Sequence, residues 1–546
     1  MVRLTPLAKG LLAIAILALA ATAVWHLGLK KWIGGSSQTA AGPTLTTAQS
    51  LASPLGTPGN PLKVSIVSFH GYAPGLLANG KSLQTKADSI YAQSGVAVQF
   101  IIQDDIPTLS TIFEAGTAHC AWRTSDFWAQ EQPNLRNSGH DGRAVMIVDN
   151  TQGADAIISA DPSINRVEDL AGKSIALLQF TPSHGMVIDA LENSSLTAKK
   201  RESVKLVYIN AEEGTAGVRA ALESGSVDAA ALWDPDLSLA VRNTKGARTV
   251  YSTKTATNLI YDVMVCDQRF LQKPENTDAF QKFVSGWMQG VTAARANPDE
   301  AVDALIQTEE FFQLLAKQEG KPFIKGLFDN IVWTGVAENA RALGLAGGTD
   351  HYSRVYTRFD QIYREAGALA NPKSPVIPPQ ESFDYRFIKA LLANDSVAKS
   401  SAAGAQYEYS DDAREAAAAS QSAAVTKPVL VNFTTGAFEL NKRSQQVVDK
   451  DMVPFIENNG GAYFVLSGNT DSTGSPATNK VLSQRRAQAV ASYLAREWDV
   501  DPKRIKVVGD GSEKPLCNEA NSQPEGLSLE DCRALNRSTR LAVLGR

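Results

Sequence analysis

The chain has 546 residues, room for three or four folded units at roughly 150 residues each. It is 44% hydrophobic and 20% charged, with 40 Gly and 24 Pro, which excludes a disordered, collagen-like or polytopic membrane chain as a whole. A net charge of −4 supplies no basic field for nucleic acid, and six scattered histidines with four cysteines give neither zinc spacing nor a disulfide scaffold.

Residues 11–24 (LLAIAILALAATAV) open an apolar run that Trp25, Leu27 and Leu29 extend, with Arg3 and Lys9 before it and Lys30 and Lys31 after it. As a helix, residues 10–29 span about 30 Å, the thickness of a hydrocarbon core. Small-x-small sites at residues 18–20 and 21–23 fit a signal peptide equally in kind. The run passes both sites and ends at Trp25, Trp32 and lysines, which favours an uncleaved inner-membrane anchor. Either reading exports the remainder.

Residues 30–61 are rich in Gly, Ser, Thr and Pro and read as a flexible linker. From residue 62 strand and helix signals alternate. Strands are predicted at 62–69 (LKVSIVSF), 96–102, 144–148, 174–178 and 204–209, and helices at 82–93, 107–116, 183–191 and 214–224. The alternation predicts open, mostly parallel sheets that bind ligands beyond their strand ends. The chain from 276 to about 345 is mainly helical in pattern. Cys120 and Cys266, in apolar contexts (AHCAW, VMVCDQ), read as small buried core residues. Strand ends nominate His70, Tyr72, Thr124, Ser125, Thr181, Ser183 and Asp234 for a small ligand, with Arg123 as a charge for an anion. Hydroxyls and a helix N-terminus suit an oxyanion, although Thr181 or Ser183 also fits a plain N-cap.

Residues 397–426 are Ala/Ser-rich and too poor in large apolar residues for a core; they read as a linker with one short helix. Beyond it come predicted strands at 429–433, 462–468, 505–508 and 540–544, and helices at 442–458 and from 479. Ala487, Val490, Leu494 and Trp498 form an apolar stripe. At about 100° per residue, Arg485 points away from that stripe and Arg486 lies at its edge. Asp471 and Arg486 then make either a clamp for a ligand bearing both ammonium and carboxylate, or an ion pair with each other. In an exported chain Cys517 and Cys532 are either two unrelated thiols or, the favoured reading, a disulfide whose short loop contributes about 3 kcal/mol.

Two resemblances add to this. VEDLAGKSIALLQFTPSHGMVIDALE (167–192), GVRAALESGSVDAAALWDPDLSLA (217–240) and TIFEAGTAHCAWRTSD (111–126) resemble, in order, periplasmic solute-binding proteins of the nitrate/sulfonate/taurine type. That implies two α/β lobes closing on a small ligand, over roughly 62–300. VNFTTGAFEL, GNTDSTGSPATNKVLSQRRAQAVASYL and NRSTRLAV resemble the OmpA-like peptidoglycan-binding domain over 427–546. That implies non-covalent binding of the diaminopimelate in the wall's stem peptide, Asp471 and Arg486 matching the ligand positions and Thr470, Asn479 and Arg537 accompanying them. Asn469 stands where the family has His, and Ser538 where it has Arg. The Cys517/Cys532 pair resembles an insertion disulfide of some members.

The expected architecture is thus α/β. A tail (1–9) and anchor or signal helix (10–29) lead through a linker (30–61) to a two-lobed periplasmic binding-protein-like region (62–396). A second linker (397–426) leads to an α+β OmpA-like domain (427–546). The expected protein is periplasmic, tied to inner membrane and peptidoglycan, binding an unknown small molecule and signalling to a membrane-protein partner, with no nucleic acid and no cofactor. A ligand-free scaffold or stator-like anchor and a transporter's substrate-binding protein remain as alternatives. No nucleophile elbow, P-loop or HExxH points to an enzyme. Residues 425–546 hold 16 Lys/Arg against 14 Asp/Glu, hence +2, leaving −6 elsewhere.

Overall fold

The structure, a computed structural model, describes residues 53–545 except 405, 421–422, 432, 435 and 523–525. The predicted anchor at 10–29 lies outside the described residues. Among those described, no helix is long and apolar enough to cross a membrane.

The first sheet holds β1 (Leu62–Ile66), β2 (Val98–Ile102), β3 (Cys120–Thr124) and β4 (Gly142–Thr151). The second holds β5 (Asp155–Ser159), β6 (Ser174–Leu178), β7 (Lys205–Ile209), β8 (Ala229–Trp233) and β9 (Arg248–Ser252). β10 (Tyr261–Asp267) and β11 (Ile331–Trp333) complete the first sheet in the order β11-β4-β10-β3-β1-β2; the second runs β7-β6-β8-β5-β9.

These sheets correct the mostly parallel expectation. β1 is parallel to β2 and β3, and β6 to β7 and β8, but β5 and β10 pair antiparallel on both sides. The chain crosses between sheets twice, from β4 to β5 and from β9 to β10. A strand arriving from the other lobe enters at the carboxyl edge and runs back against its neighbours. The cleft lies at that edge.

The predicted helix at 82–93 is only Ile90–Gln93. The preceding residues lie along the sheet edge instead. Phe100 N–H donates to Leu83 O (2.7 Å), Val98 N–H donates to Thr85 Oγ1 (2.7 Å), and Thr85 Oγ1–H donates to Asn79 Oδ1 (2.7 Å). Those edge hydrogen bonds outweigh helical periodicity over the eight residues 82–89. The helix predicted at 107–116 spans Ile106–Thr111, where the Asp105 carboxylate accepts from Thr108 N–H at 2.9 Å.

Cys120 and Cys266 are buried, as expected, but they are joined in a disulfide. They face each other as cross-strand partners on β3 and β10. Their 146-residue separation hid from the sequence a pairing that the sheet register creates. Cys517 and Cys532 are also joined; no described cysteine is free.

The helical region after residue 276 straps the lobes. Its helix His351–Glu365 reaches both: Tyr356 Oη–H donates to Gln132 Oε1 (2.7 Å) in the first lobe, and Tyr363 Oη–H donates to Thr181 O (2.8 Å) in the second. Arg358 adds an ion pair to Asp189 at 2.9 Å.

The last sheet is β12 (Val425–Val429), β13 (Tyr463–Asn469), β14 (Ile505–Gly511) and β15 (Thr539–Leu544), in the order β12-β15-β13-β14. The strand predicted at 429–433 therefore sits four residues earlier. Pro428 is tolerated there because β12 is an edge strand that can spare an N–H. Helix Pro476–Trp498 lies tightly on β13 and β14: a Cβ on Gly468 would stand 2.0 Å from Ser483 O, and one on Gly509 2.5 Å from Gln484 N. Trp498, placed by its spacing on the apolar stripe, is instead 36% exposed and donates to Asp449 at 2.7 Å. It ends the helix, beyond the reach of the sheet.

The stretch 397–426 carries two helices, Ser396–Ala403 and Asp411–Ser420. Ala398 and Ala402 pack with Ala340 and Leu392, and Ala417 with Tyr463 and Leu544. Alanine on a helix face permits the close approach that large side chains would prevent. Leu55–Arg546 consequently forms one compact unit. The β9–β10 crossing touches the C-terminal domain directly: Asn258 N–H donates to Asn458 O (3.0 Å) and Gly461 N–H donates to Thr257 Oγ1 (2.9 Å); from the strapping helix, Arg354 pairs with Glu457.

Candidate functional sites

The first site lies at the carboxyl end of β13. Thr470 follows that strand, and its N–H donates to Gly511 O at 2.8 Å, tying the loop to β14. Its buried Oγ1 makes no hydrogen bond. Asp471 comes next. Its carboxylate accepts from Thr473 N–H (3.0 Å) and pairs with Arg537 (2.7 Å), which also pairs with Glu530 (2.7 Å). Burial alone would raise the Asp471 pKa, but Arg537 and the Thr473 N–H outweigh it and hold it below the usual carboxylate value. Asn479, buried on the first turns of the helix, donates to Thr473 O at 3.0 Å and so braces the loop.

Arg485 and Arg486 lie where the helical wheel predicts. Arg485 is exposed over the Phe438 ring. Arg486 is half-buried, its guanidinium 4.9 Å from the centroid of Phe433 and its Nε–H donating to Ala437 O at 3.0 Å. Its two terminal nitrogens have no partner among the described residues. Burial and the nearby Arg537 lower its pKa while Asp471 raises it, so the three charges share one neighbourhood. Asp471 pairs with Arg537 and not with Arg486, whose terminal nitrogens are unpaired among the described residues. Asn469 Nδ2–H is bound to Ser467 O and Ser538 O, both at 3.2 Å. Ser538 is fully buried and its Oγ accepts from Arg540 Nε–H (3.1 Å). Both departures from the family pattern are thus framework positions.

The second site is the cleft between the lobes. A cavity of about 40 Å³ is walled by Phe69, Tyr72, Trp122, Trp233, Asp155 and Asp262, with Thr124 and Thr151 also on its lining. Of the seven candidate residues, Tyr72 and Thr124 line this cavity. Tyr72 Oη–H donates to Asp262 Oδ1 at 3.1 Å. The other five do not line it. Ser125 Oγ accepts from Tyr261 N–H (3.3 Å), and Thr181 Oγ1–H donates to Leu178 O (2.7 Å). Ser183 is fully buried. Asp234 accepts from Ser238 N–H (2.9 Å) and from Asn330 Nδ2–H (2.7 Å), which makes it an interlobe brace. His70 lies sealed against Phe69 and Phe328, and burial lowers its pKa to about 3.

Arg123 corrects the expectation of an anion-binding charge. Residues alternate along β3, so Trp122 and Thr124 face the cleft while Arg123 points into the first lobe. There it pairs with Glu131, and Nη2–H donates to Leu109 O at 2.7 Å. Asp155 and Asp262, the charged groups that do line the cleft, were absent from the sequence candidates. Their signal was an acid at or next to the first residue of two mainly apolar strands, DAIIS and YDVMVCD.

Burial pushes several of these acids upward. Asp262 is raised to about 7, and Asp126 and Asp234 to about 6; Asp149, a cross-strand partner of Asp262, and Asp155 are raised well above the usual value. A folded carboxyl that keeps its proton longer than the unfolded one binds more protons, so stability falls as pH rises through the folded pKa. Below about pH 6.5, His70 and His184, buried neutral in the fold, act in the opposite sense. We therefore expect the melting temperature to fall between about pH 6.5 and 8, and Asp262→Asn to flatten that slope, as read by thermal melts across the range. A flat wild-type profile would contradict the assignment.

Fold and sites together define a two-lobed binding-protein fold carrying a C-terminal OmpA-like domain. The OmpA family profile matches residues 432–525, and the NMT1/THI5-like profile matches residues 86–301. The peptidoglycan-associated lipoprotein of Haemophilus influenzae is 31% identical over 135 residues, 24% of this chain and 86% of that protein. Through its C-terminal segment the chain belongs to the OmpA family. Outer membrane porin F of Pseudomonas aeruginosa is 34% identical over 94 residues, 17% of this chain and 25% of the porin. An Escherichia coli relative named for binding aliphatic sulfonates is 29% identical over 170 residues, 31% of this chain and 47% of the relative. The chain thus spans between a quarter and about half of several curated relatives. The crystal structure of the periplasmic aliphatic sulphonate binding protein of Escherichia coli aligns with a TM-score of 0.45 and 16% identity, over 60% of this chain and 98% of that one.

Proposed function

We propose that this protein holds peptidoglycan non-covalently through its C-terminal domain and presents the two-lobed region as a periplasmic small-molecule-binding module for sensing. In this reading Asp471, presented by Thr470 and Asn479 and flanked by Arg537, takes the ammonium of a diaminopimelate side chain. Arg486 takes its carboxylate. The observation that carries the reading is Arg486 itself: stacked and anchored at Nε, with both terminal nitrogens left unpaired among the described residues, in the neighbourhood of the Asp471 carboxylate. A guanidinium held in that way is arranged for a bidentate carboxylate. Residues 10–29 would tether or export the chain, and a membrane-protein partner would read the state of the lobes. A wall-bound module cannot diffuse freely to a permease, which favours sensing over delivery.

Incubating the full-length protein with purified sacculi and sedimenting them tests the wall-binding half. Co-sedimentation that free meso-diaminopimelate competes away is expected; failure to co-sediment, or indifference to the competitor, would sink it. A second reading, a scaffold whose cleft holds no ligand, is favoured by the small cavity and by the strap across the lobes. Native mass spectrometry separates the two, since a retained small molecule excludes the empty scaffold.

A further inference from the structure

The cleft has the wrong sign for the anions that its strand-end hydroxyls first suggested. Among the described residues no cationic side chain lines it: Arg123 is turned into the lobe on Glu131, and His70 and His184 are buried as neutral rings. What lines it is acid and aromatic. Asp155 begins β5 opposite Trp233, and Asp262 faces Thr124 across β10 and β3, so the carboxylates come from different lobes and meet at one cavity. Asp149 on β4 is the cross-strand partner of Asp262, a third acid at the same wall that burial holds in its protonated form. Thr124 and Thr151, 5% and 2% exposed as residues, line the cavity, and their buried hydroxyls make no hydrogen bond of ordinary geometry.

An anion entering here would lose its hydration and meet, beside the Thr124 and Thr151 hydroxyls, two acids that repel it once ionised. A cation gains twice, from the carboxylates and from aromatic faces whose quadrupoles attract positive charge. A bare metal ion does not match: among the described residues no group of three or more His, Cys, Asp or Glu is placed to hold one. The four aromatics instead offer an apolar wall for alkyl groups.

We propose that the cleft takes a small organic cation, a protonated or quaternary amine, with its charge between Asp155 and Asp262 and its carbon groups against Tyr72, Trp122 and Trp233. This rests on the solute-binding half of the reading above and names its ligand class. The unusually high pKa values of the buried acids fit, since each is a cost that a bound cation would relieve. Lobe closure then has a direct cause. The two carboxylates repel when the lobes approach empty, and a shared cation turns that repulsion into attraction.

Native mass spectrometry of the full-length protein comes first, followed by calorimetric titration of the protein freed of any retained molecule. The probes are tetramethylammonium, choline and ethanolamine against methanesulfonate and nitrate. Saturable heat is expected from at least one amine and none from the anions, with Asp155→Asn and Asp262→Asn each weakening the amine at least about tenfold. Both variants should melt no lower than the parent at pH 8, because each removes a buried carboxylate; lost binding then is not lost folding. Binding of methanesulfonate or nitrate in place of the amines, or a retained anion, overturns the cation assignment while leaving the solute-binding reading intact. No heat from any probe together with no retained molecule overturns both.

Discussion

Arg486→Ala should weaken binding to sacculi at least about thirtyfold, and Asp471→Ala by a similar or larger factor. Truncating one partner of a desolvated, hydrogen-bonded charge pair costs about 2–5 kcal/mol, because the ligand's matching charge is left buried without a counterion. For Arg486 the loss is the whole carboxylate contact, since the stacked guanidinium is the group left unpaired at the site. For Asp471 it is compounded. Its removal also frees one arm of Arg537, which Asp471 holds at 2.7 Å and which keeps only its pair with Glu530, and leaves Arg486 and Arg537 without the carboxylate beside them where the ammonium must sit. Arg486→Lys should recover little, because an ammonium cannot reproduce the planar fork. Asn479→Ala should cost less, about tenfold, since that side chain steadies the loop through Thr473 O. Titrating full-length variants against a fixed mass of sacculi reads all four. Parent-like affinity of Arg486→Ala would remove the clamp from the site, whatever the rest of the domain does.

Paired replacement of Cys120 and Cys266 by serine should cost about 5 kcal/mol in unfolding free energy, against about 3 kcal/mol for the pair Cys517 and Cys532. The difference comes from loop length. The first bond closes 146 residues of chain and the second 15, and the unfolded ensemble loses more freedom in the longer loop. The first bond also joins β3 to β10, the strand that returns from the second lobe. Its loss should therefore loosen the sheet that carries Thr124 and Asp262 as well as the stability of the whole. Urea denaturation of the two double variants gives the ordering. Equal midpoints, or thiol titration finding two free cysteines in the native parent, would count against this account of the bond.

Several elements were legible because local rules decide them. The strand–turn–helix around Asp471 and Arg486 reads directly. A β-rich heptad runs into a polar loop, and an amphipathic helix of 23 residues follows, long enough for its 3.6-residue period to place Arg485 outward and Arg486 at the edge. The two lobes were legible as alternating strands and helices. Strand direction was not, since it depends on which lobe a strand arrives from. Helix 82–93 failed for a related reason: its residues satisfy an edge of β2 that no local window contains.

The amino-acid sequence by itself determined the partition into a lobed α/β region and a C-terminal α+β domain, the helical face that aims Arg486, and the wall-binding motif. Only the tertiary structure decided the rest. Register alone joined Cys120 to Cys266, and strand alternation turned Arg123 away from the cleft. Folding also brought Asp155 and Asp262, 107 positions apart, to a single cavity. It likewise chose Arg537, and not Arg486, as the partner of Asp471. Each is a pairing between distant segments, and hydrophobic burial of the sheets, which carries no information about charge, is what brings such segments together. The −6 carried outside the C-terminal domain is therefore more than a bulk property, because folding gathers part of it into the cleft.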